Sequence, residues 1–400
     1  MSAAPKWLTA TPLVYGENLQ FWDRDAGLLC LGLRQLGQDS RFVALGETTS
    51  VSTTQPLITG RIEDFHNPAW WRQWGATGVI LNAWGTPRYE PVARAIKAAG
   101  LRLVVRLDSD GCNSPRAGFA TFLATTYSVA KDAHRSFPTL YALAKALVYR
   151  AVPAAHDRGM AAHLGHADLI TIESPAAAER FSRLLNALHR ADLASRLRVL
   201  PHPVNDAFVY DAAVPRRKQI LAVGRWESHQ KDGPLLLSVL AAVLATKHEH
   251  RAVIVGDVGP TMERGLNGLP RPVRSRITLT GRVPNLGLVP HCQASQTVLV
   301  ASRYESFHIA AAESLCCGSS VMGPAAIPSM RWFTSEQSGT LARDRSAATM
   351  SAALEAELAE WEAGRRDAGR ISAMWCARVH VTAVAAEAMR LVGELPTSSR

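Results

Sequence analysis

Nothing in the sequence is long and apolar enough to suggest a membrane span. The nearest approach to the roughly 18 residues required is Leu235 to Ala245. A charged-then-apolar secretion signal is also missing at the start, so a cytoplasmic chain is expected. Cysteine is scarce, and Cys30, Cys112, Cys292, Cys316, Cys317 and Cys376 show no C-x-x-C spacing. Buried thiols in a reduced compartment fit that usage. Low-complexity tracts and repeats of about 20 to 50 residues are absent, which excludes solenoids and propellers. The formal net charge is +10, but the basic residues are scattered among acids and no basic-aromatic stripe is present. Nucleic acid is therefore set aside as a partner.

What is present is an alternation of short apolar runs with longer helical patterns, over a 400-residue chain that is 47% hydrophobic and 20% charged. That length suits two domains, and that alternation predicts an α/β fold with parallel sheets. Strands are expected at Trp7 to Leu13, Arg41 to Ala44, Gly78 to Leu81, Leu101 to Leu107, Leu169 to Ile172 and Leu197 to Leu200. The pattern restarts with Gln219 to Val223, Arg251 to Val255, Ile277 to Leu279, Gln296 to Val300 and Ser320 to Met322. Between the halves, Pro201 to Lys218 is rich in proline and turn residues and reads as a flexible linker. Long helices at Ala347 to Ala363 and Ser372 to Val392 close the chain. The expected domains are 1–205, 206–375 and a terminal helix, 376–400, packing back on the first.

Two strand-to-helix loops in the second half carry the chemistry. In ASRYESFHIAAAESLCCGSSVMGP, Ala301 to Pro324, the chain must turn from a strand into a helix. The N–H groups of Phe307, His308 and Ile309 then face outward with the positive end of the helix dipole, where a phosphate binds. Glu305 and Glu313 are eight residues apart, roughly 10 Å along a helix, and two carboxylates so spaced suit the hydroxyls at either end of a nucleotide sugar. Taken alone, Glu305 reads equally as a helix-start acid and Glu313 as a solvated helix residue. In ILAVGRWESHQKDGP a buried strand ends at Gly224, whose lack of a side chain permits close approach, and is followed by Arg225 and Lys231. A guanidinium and an ammonium there can neutralise a diphosphate leaving group without a metal ion, although an Arg–Lys pair taken alone reads more readily as two ordinary loop cations.

These segments resemble glycosyltransferase family 4, the group 1 glycosyltransferases. The resemblance is carried by Gly224-Arg225 with Lys231 six residues on, by Val255-Gly256 ending a strand, by Gly281 in LTGRVPN, and by Glu305, Glu313 and CCGSSV in order. It covers roughly residues 219–330. It implies the B-type fold, two facing Rossmann-like domains with a cleft between them. It also implies a retaining transfer from a UDP- or GDP-linked nucleoside diphosphate sugar, with no cofactor and no metal. Arg225 and Lys231 would bind the diphosphate, Glu305 the sugar and Glu313 the ribose. Asp232, His308 and Ser320 depart from the family's usual Gly, Gly and Pro.

The first half resembles the family's acceptor domain more loosely. Gly16, with Glu17 or Asn18, would approach the donor phosphates, and Asp108 would act on the acceptor hydroxyl where many members have His. Asp108-Ser109-Asp110 also resembles a metal-binding Asp-x-Asp, but the two-domain restart and the Arg225–Lys231 pair make a metal redundant, and His156, His163 and His166 suggest zinc without a nearby Cys or acid to complete the set. The acceptor is expected to be a glycan, a lipid or a small molecule. Phe137 to Val152 has an apolar face with Lys145 and Arg150, expected to pack on the first sheet; the alternative is peripheral contact with an anionic membrane at its inner face. Two other activities compete: a nucleotide-sugar epimerase or hydrolase, and a silent sugar-nucleotide-binding subunit.

Overall fold

A computed structural model describes residues 6–13, 22–83, 85–107, 119–133, 135–151 and 155–395. Contacts divide the chain into two compact units. Met1–Thr126, Thr139–Pro203 and Val381–Arg400 form the first, and Tyr127–Pro138 with Val204–His380 the second.

The first unit is built on a sheet of β1 (Trp7–Thr11), β2 (Ser40–Leu45), β3 (Ser50–Val51), β4 (Leu57–Gly60), β5 (Gly78–Asn82), β6 (Arg102–Arg106), β7 (Leu169–Ile172) and β8 (Leu197–Val199). Its order is β3-β4-β2-β1-β5-β6-β7-β8, parallel except for the β3–β4 pair. Helices cover both faces, as parallel strands buried on two sides require. The helix Pro175–Ala187 starts where its sequence says it should: Ser174 Oγ accepts from Ala177 N–H at 3.3 Å, and proline sits in the first turn.

The second unit has β9 (Arg217–Val223), β10 (Arg251–Val255), β11 (Ile277–Gly281), β12 (Ser295–Leu299), β13 (Ser320–Pro324) and β14 (Gly339–Ala342), all parallel, in the order β11-β10-β9-β12-β13-β14. Renumbered from β9, this is the 3-2-1-4-5-6 winding of a Rossmann sheet. Successive β9 side chains alternate between two cores. Leu221 joins Val298, Phe307 and Leu315 on one face, while Ile220 and Ala222 join Leu240, Ile254 and Met322 on the other.

Several expectations need correcting. Strands β3, β4 and β14 were not foreseen, because Ser50–Val51, LITG and GTLA are too short and too poor in β-branched residues to signal a strand. The single helix expected over Ser372 to Val392 is two, Ala368–Val379 and Val381–Gly393. His380 between them is extended, with ψ 151°, and bridges to Val204. Nor is the whole Pro201 to Lys218 segment a free linker: Phe208 is fully buried, Val204 N–H bonds the Val379 carbonyl at 2.7 Å, and Tyr210 N–H bonds Ser372 Oγ at 3.2 Å. The helix Pro138–Ala151 does not bury its apolar face, since Leu140, Leu143, Leu147 and Val148 are exposed. Among the described residues no helix is long and apolar enough to cross a membrane.

Candidate active site

The order of the second sheet reverses between β9 and β12, and open α/β sheets bind ligands beyond the strand ends at such a switch point. The loop after β9 holds Gly224, Arg225 and Lys231, and the loop after β12 holds Glu305 and His308. The sequence-derived candidates of this half therefore converge on one edge.

Glycine makes the floor of that edge. Gly256, at φ +115°, ends β10 so close to the first loop that an added Cβ would lie 1.9 Å from the Gly224 carbonyl oxygen. Gly256 N–H in turn bonds the Gly281 carbonyl at 2.9 Å, tying the ends of β10 and β11. Trp226 turns inward beside Arg225. Its Nε1 donates to the Val255 carbonyl at 3.0 Å and its backbone N–H to Asp257 at 2.8 Å, which leaves Arg225 on the exposed side. Among the described residues the Arg225 side chain has no ion-pair partner.

The two loops are joined by their backbones and by charge. Arg303 N–H donates to the Gln230 carbonyl at 2.7 Å, and Gln230 Nε2 donates to the Tyr304 carbonyl at 3.1 Å. Lys231 Nζ donates to Glu305 Oε1 at 2.6 Å, with side-chain exposures of 15% and 9%. Behind them Asp232 Oδ2 receives Arg345 at 2.5 Å and Arg303 at 2.9 Å, while Arg345 also bonds the carbonyls of Ala301 and Ser302.

Asp232 and His308 are both left-handed, at φ 53° and 83°. Each is the residue before a helix, Gly233–Thr246 and Ile309–Cys316. These are two of the positions at which the family pattern has glycine, so the backbone shape is kept while the residue type is not. Holding a side chain there costs on the order of 1–2 kcal/mol apiece. His308 recovers part of that by capping its helix, Nδ1 accepting from Ala311 N–H at 3.1 Å.

This geometry also corrects the expected helix start. The helix begins at Ile309, because the left-handed His308 is its N-cap. Phe307 lies one step earlier, with its ring buried against Trp332 and Phe333. Glu305 is accordingly in the loop, and the helical spacing assumed between it and Glu313 does not apply. Glu313 is not a solvated residue either: it is 5% exposed and accepts from Asn285 Nδ2 at 2.8 Å, Asn285 standing in the loop after β11.

The electrostatics follow from burial and pairing. Burial, reinforced by the Lys231 charge and opposed by Glu305, pushes His308 down to about 4, so the ring is neutral at pH 7. Burial alone would raise the Glu305 carboxyl. The Lys231 charge, with hydrogen bonds from Lys231 and Ser302, outweighs it and holds the group below its ordinary value, and His308 adds to this only once it is protonated. Gly16 and Asp108 lie outside the described residues. Of the three histidines weighed for zinc, His163 is fully buried and His166 bonds Glu90 at 2.8 Å. Sequence reading missed Asn285, Arg303 and Arg345, which sit in separate loops and carry no motif of their own.

Residues 217–360, which contain all of these second-unit groups, match the profile of the group 1 glycosyl transferases. Over that stretch the chain is similar to the group 1 glycosyltransferases. Among solved structures, the chain is similar to sucrose-phosphate synthase from Thermosynechococcus elongatus, at TM-score 0.63 and 16% identity, over 98% of this chain and 99% of that one. It is similar as well to HepE of Anabaena, solved with UDP-glucose, at TM-score 0.63 and 15% identity, over 98% and 100%. A UDP-forming trehalose-phosphate synthase from Burkholderia xenovorans gives TM-score 0.64 and 12% identity over 98% and 100%. No curated protein matches the chain by sequence. At these identities the solved structures establish the B-type fold of two parallel-sheet units.

Proposed function

We propose that this chain is a glycosyltransferase that moves a sugar from a UDP- or GDP-linked donor to an acceptor hydroxyl, with retention and without a metal ion. The observation that carries this reading is that the loop bearing Arg225 and Lys231 and the loop leading to the Ile309–Cys316 helix start lie side by side at the switch point of the second sheet, joined by the Lys231–Glu305 pair. As the glycosidic bond breaks, negative charge grows on the diphosphate while the sugar becomes oxocarbenium-like. An exposed guanidinium, an ammonium and a helix N-terminus supply fixed positive charge where that negative charge develops. Glu305 then trades its bond to Lys231 for sugar hydroxyls, the backbone around His308 and Ile309 receives a phosphate, and Glu313 takes the ribose. Gly224 keeps the floor open for the diphosphate. Retention rests on the family resemblance of the Glu305 and Glu313 segment. Gly16 and Asp108 are assigned, on their sequence context, to the donor phosphates and to the acceptor hydroxyl.

The donor is tested by thermal stabilisation with UDP, GDP, ADP and their sugars, since a ligand at about 100 times its Kd adds about 2.7 kcal/mol. Turnover follows with the donor so found. Binding without turnover on any acceptor supports a silent subunit instead, and sugar release or epimerisation without acceptor supports the hydrolase or epimerase. Unchanged turnover in both Arg225→Ala and Lys231→Ala contradicts the mechanism.

A lipid-linked acceptor at an anionic membrane is favoured by one surface. Leu140, Leu143, Leu147 and Val148 are 66%, 42%, 62% and 58% exposed and recur at helical spacing on the helix Pro138–Ala151, with Lys145 half-buried on the same helix. Such a face binds in a bilayer interface. Flotation with vesicles containing anionic lipid is expected to carry the protein, and Leu140→Glu with Leu147→Glu to release it; equal recovery of both proteins refutes membrane contact.

A further inference from the structure

Away from the transfer site, one cluster combines soft ligand atoms with a fixed geometry. Cys316 is the last residue of the helix Ile309–Cys316, Cys376 lies in the helix Ala368–Val379, and His380 caps that second helix one turn further on. One sulfur of each cysteine and one ring nitrogen of His380 all lie within 4.8 Å of one another. Cys316 is buried and the other two are half-buried. In a tetrahedral zinc site, with metal–sulfur distances of about 2.3 Å and metal–nitrogen of about 2.0 Å, such atoms stand roughly 3.5–3.8 Å apart. Closing the cluster onto an ion therefore asks for movements of about 1 Å or less, within the reach of side-chain rotation.

The surroundings hold the ligands in place. Ser372 Oγ donates to the Cys316 carbonyl at 2.5 Å. Gly318, at φ +81°, lets the two helices come so close that an added Cβ would lie 2.5 Å from the Ala368 carbonyl. His380 Nε2 bonds the Phe208 carbonyl at 2.8 Å. A carbonyl only accepts, so Nε2 carries the hydrogen and the neutral ring has its lone pair on Nδ1. Metal-ligating histidines are oriented in this way, with the second nitrogen donating to a carbonyl or carboxylate. Asp206 Oδ1 lies 4.0 Å from Nδ1, which leaves a fourth position for that carboxylate or a water.

We propose that Cys316, Cys376 and His380 bind one soft divalent cation of the zinc class, as a structural site of the second unit that takes no part in sugar transfer. Two thiolates and an imidazole select such an ion over magnesium or calcium, which prefer oxygen ligands. The ion would join the end of the Glu313 helix to the Asp206–Phe208 turn, just before the chain leaves the unit at Val381.

The test is a Co²⁺ titration of the full-length chain, purified under reducing conditions and stripped with a chelator. One equivalent is expected to bind with a sulfur-to-cobalt charge-transfer band that Zn²⁺ abolishes, and Zn²⁺ is expected to raise the unfolding temperature. Cys376→Ser and His380→Gln each weaken binding by about tenfold or more. Absence of the charge-transfer band in the unmutated chain overturns the proposal, as does a band of equal strength in Cys376→Ser. A Cys316–Cys376 disulfide as the resident state, detected by mass, also overturns it.

Discussion

Two buried ion pairs in the second unit have the same length and opposite characters. Arg366 and Glu357 meet at 2.6 Å with side-chain exposures of 3% and 0%, and Lys231 and Glu305 meet at 2.6 Å with 15% and 9%. The first pair is sealed. Arg366 Nε gives a second bond to Glu357 at 2.8 Å, Thr340 donates to the same carboxylate at 2.7 Å, and Arg366 also reaches the Glu336 carbonyl. The second pair stands at a sheet edge, and among the described residues the ammonium uses one hydrogen bond of the three it offers. One arrangement uses nearly all of its bonding capacity within the fold; the other leaves two ammonium hydrogens without a partner among the described residues.

The largest expected effect comes from opening the sealed pair. Arg366→Met leaves Glu357 buried and unpaired and is expected to cost about 3–5 kcal/mol in denaturant unfolding, with turnover per folded molecule unchanged. Adding Glu357→Leu is expected to restore most of that loss. Lys231→Ala reverses the pattern: turnover falls by about 100-fold or more, and the denaturation midpoint moves less than in Arg366→Met. If instead Lys231→Ala unfolds the protein and spares turnover, the two pairs are alike and the contrast is lost.

The pH dependence refines the comparison. His308 titrates at about 4 in the folded chain against an ordinary 6.5, so the unfolded chain takes up this proton first as pH falls. Stability should therefore drop from pH 6.5 towards 4, by at most about 3 kcal/mol from this residue. Glu305, held below its ordinary value of 4.5, adds to the loss below that pH, because protonation favours the unfolded chain there too. Unfolding of His308→Asn across this range should show a flatter slope between pH 6.5 and 4, and an unchanged slope removes His308 as the cause. The smallest effect is expected for His308→Gly, where relief of the left-handed backbone and loss of the side-chain cap offset each other to within about 1 kcal/mol. A thermal melt measures it.

What the sequence disclosed and what it withheld have physical causes. QILAV, RAVIV and SQTVL are legible as strands because buried parallel strands must be apolar on both faces. Gly224, Arg225, Lys231 and Glu305 are legible because two loops at a switch point leave their spacing in the chain. The break at His380 is not, for no proline or glycine marks it; the bridge to Val204 imposes it from a distance. Asn285 beside Glu313, Arg345 on Asp232, and the meeting of Cys316 with Cys376 and His380 are products of packing between segments far apart in sequence. The left-handed backbone at Asp232 and His308 was hidden for another reason: residue type usually reports such a conformation, and here glycine has been replaced.

The route of the chain also sets the order in which its parts can be finished during synthesis. Trp7, Leu29 and Leu33 share one core with Val384, Ala388 and Leu391, and a Cβ at Gly32 would strike the Val381 carbonyl. Those partners leave the ribosome only after the whole of Val204–His380. At roughly 5–20 residues per second, the early apolar surface waits roughly 20–70 s for its cover. The second unit has all of its strands by then, so the half translated in the middle is complete before the half that was begun first, and the helix Asp25–Gln35 is among the last elements to be covered.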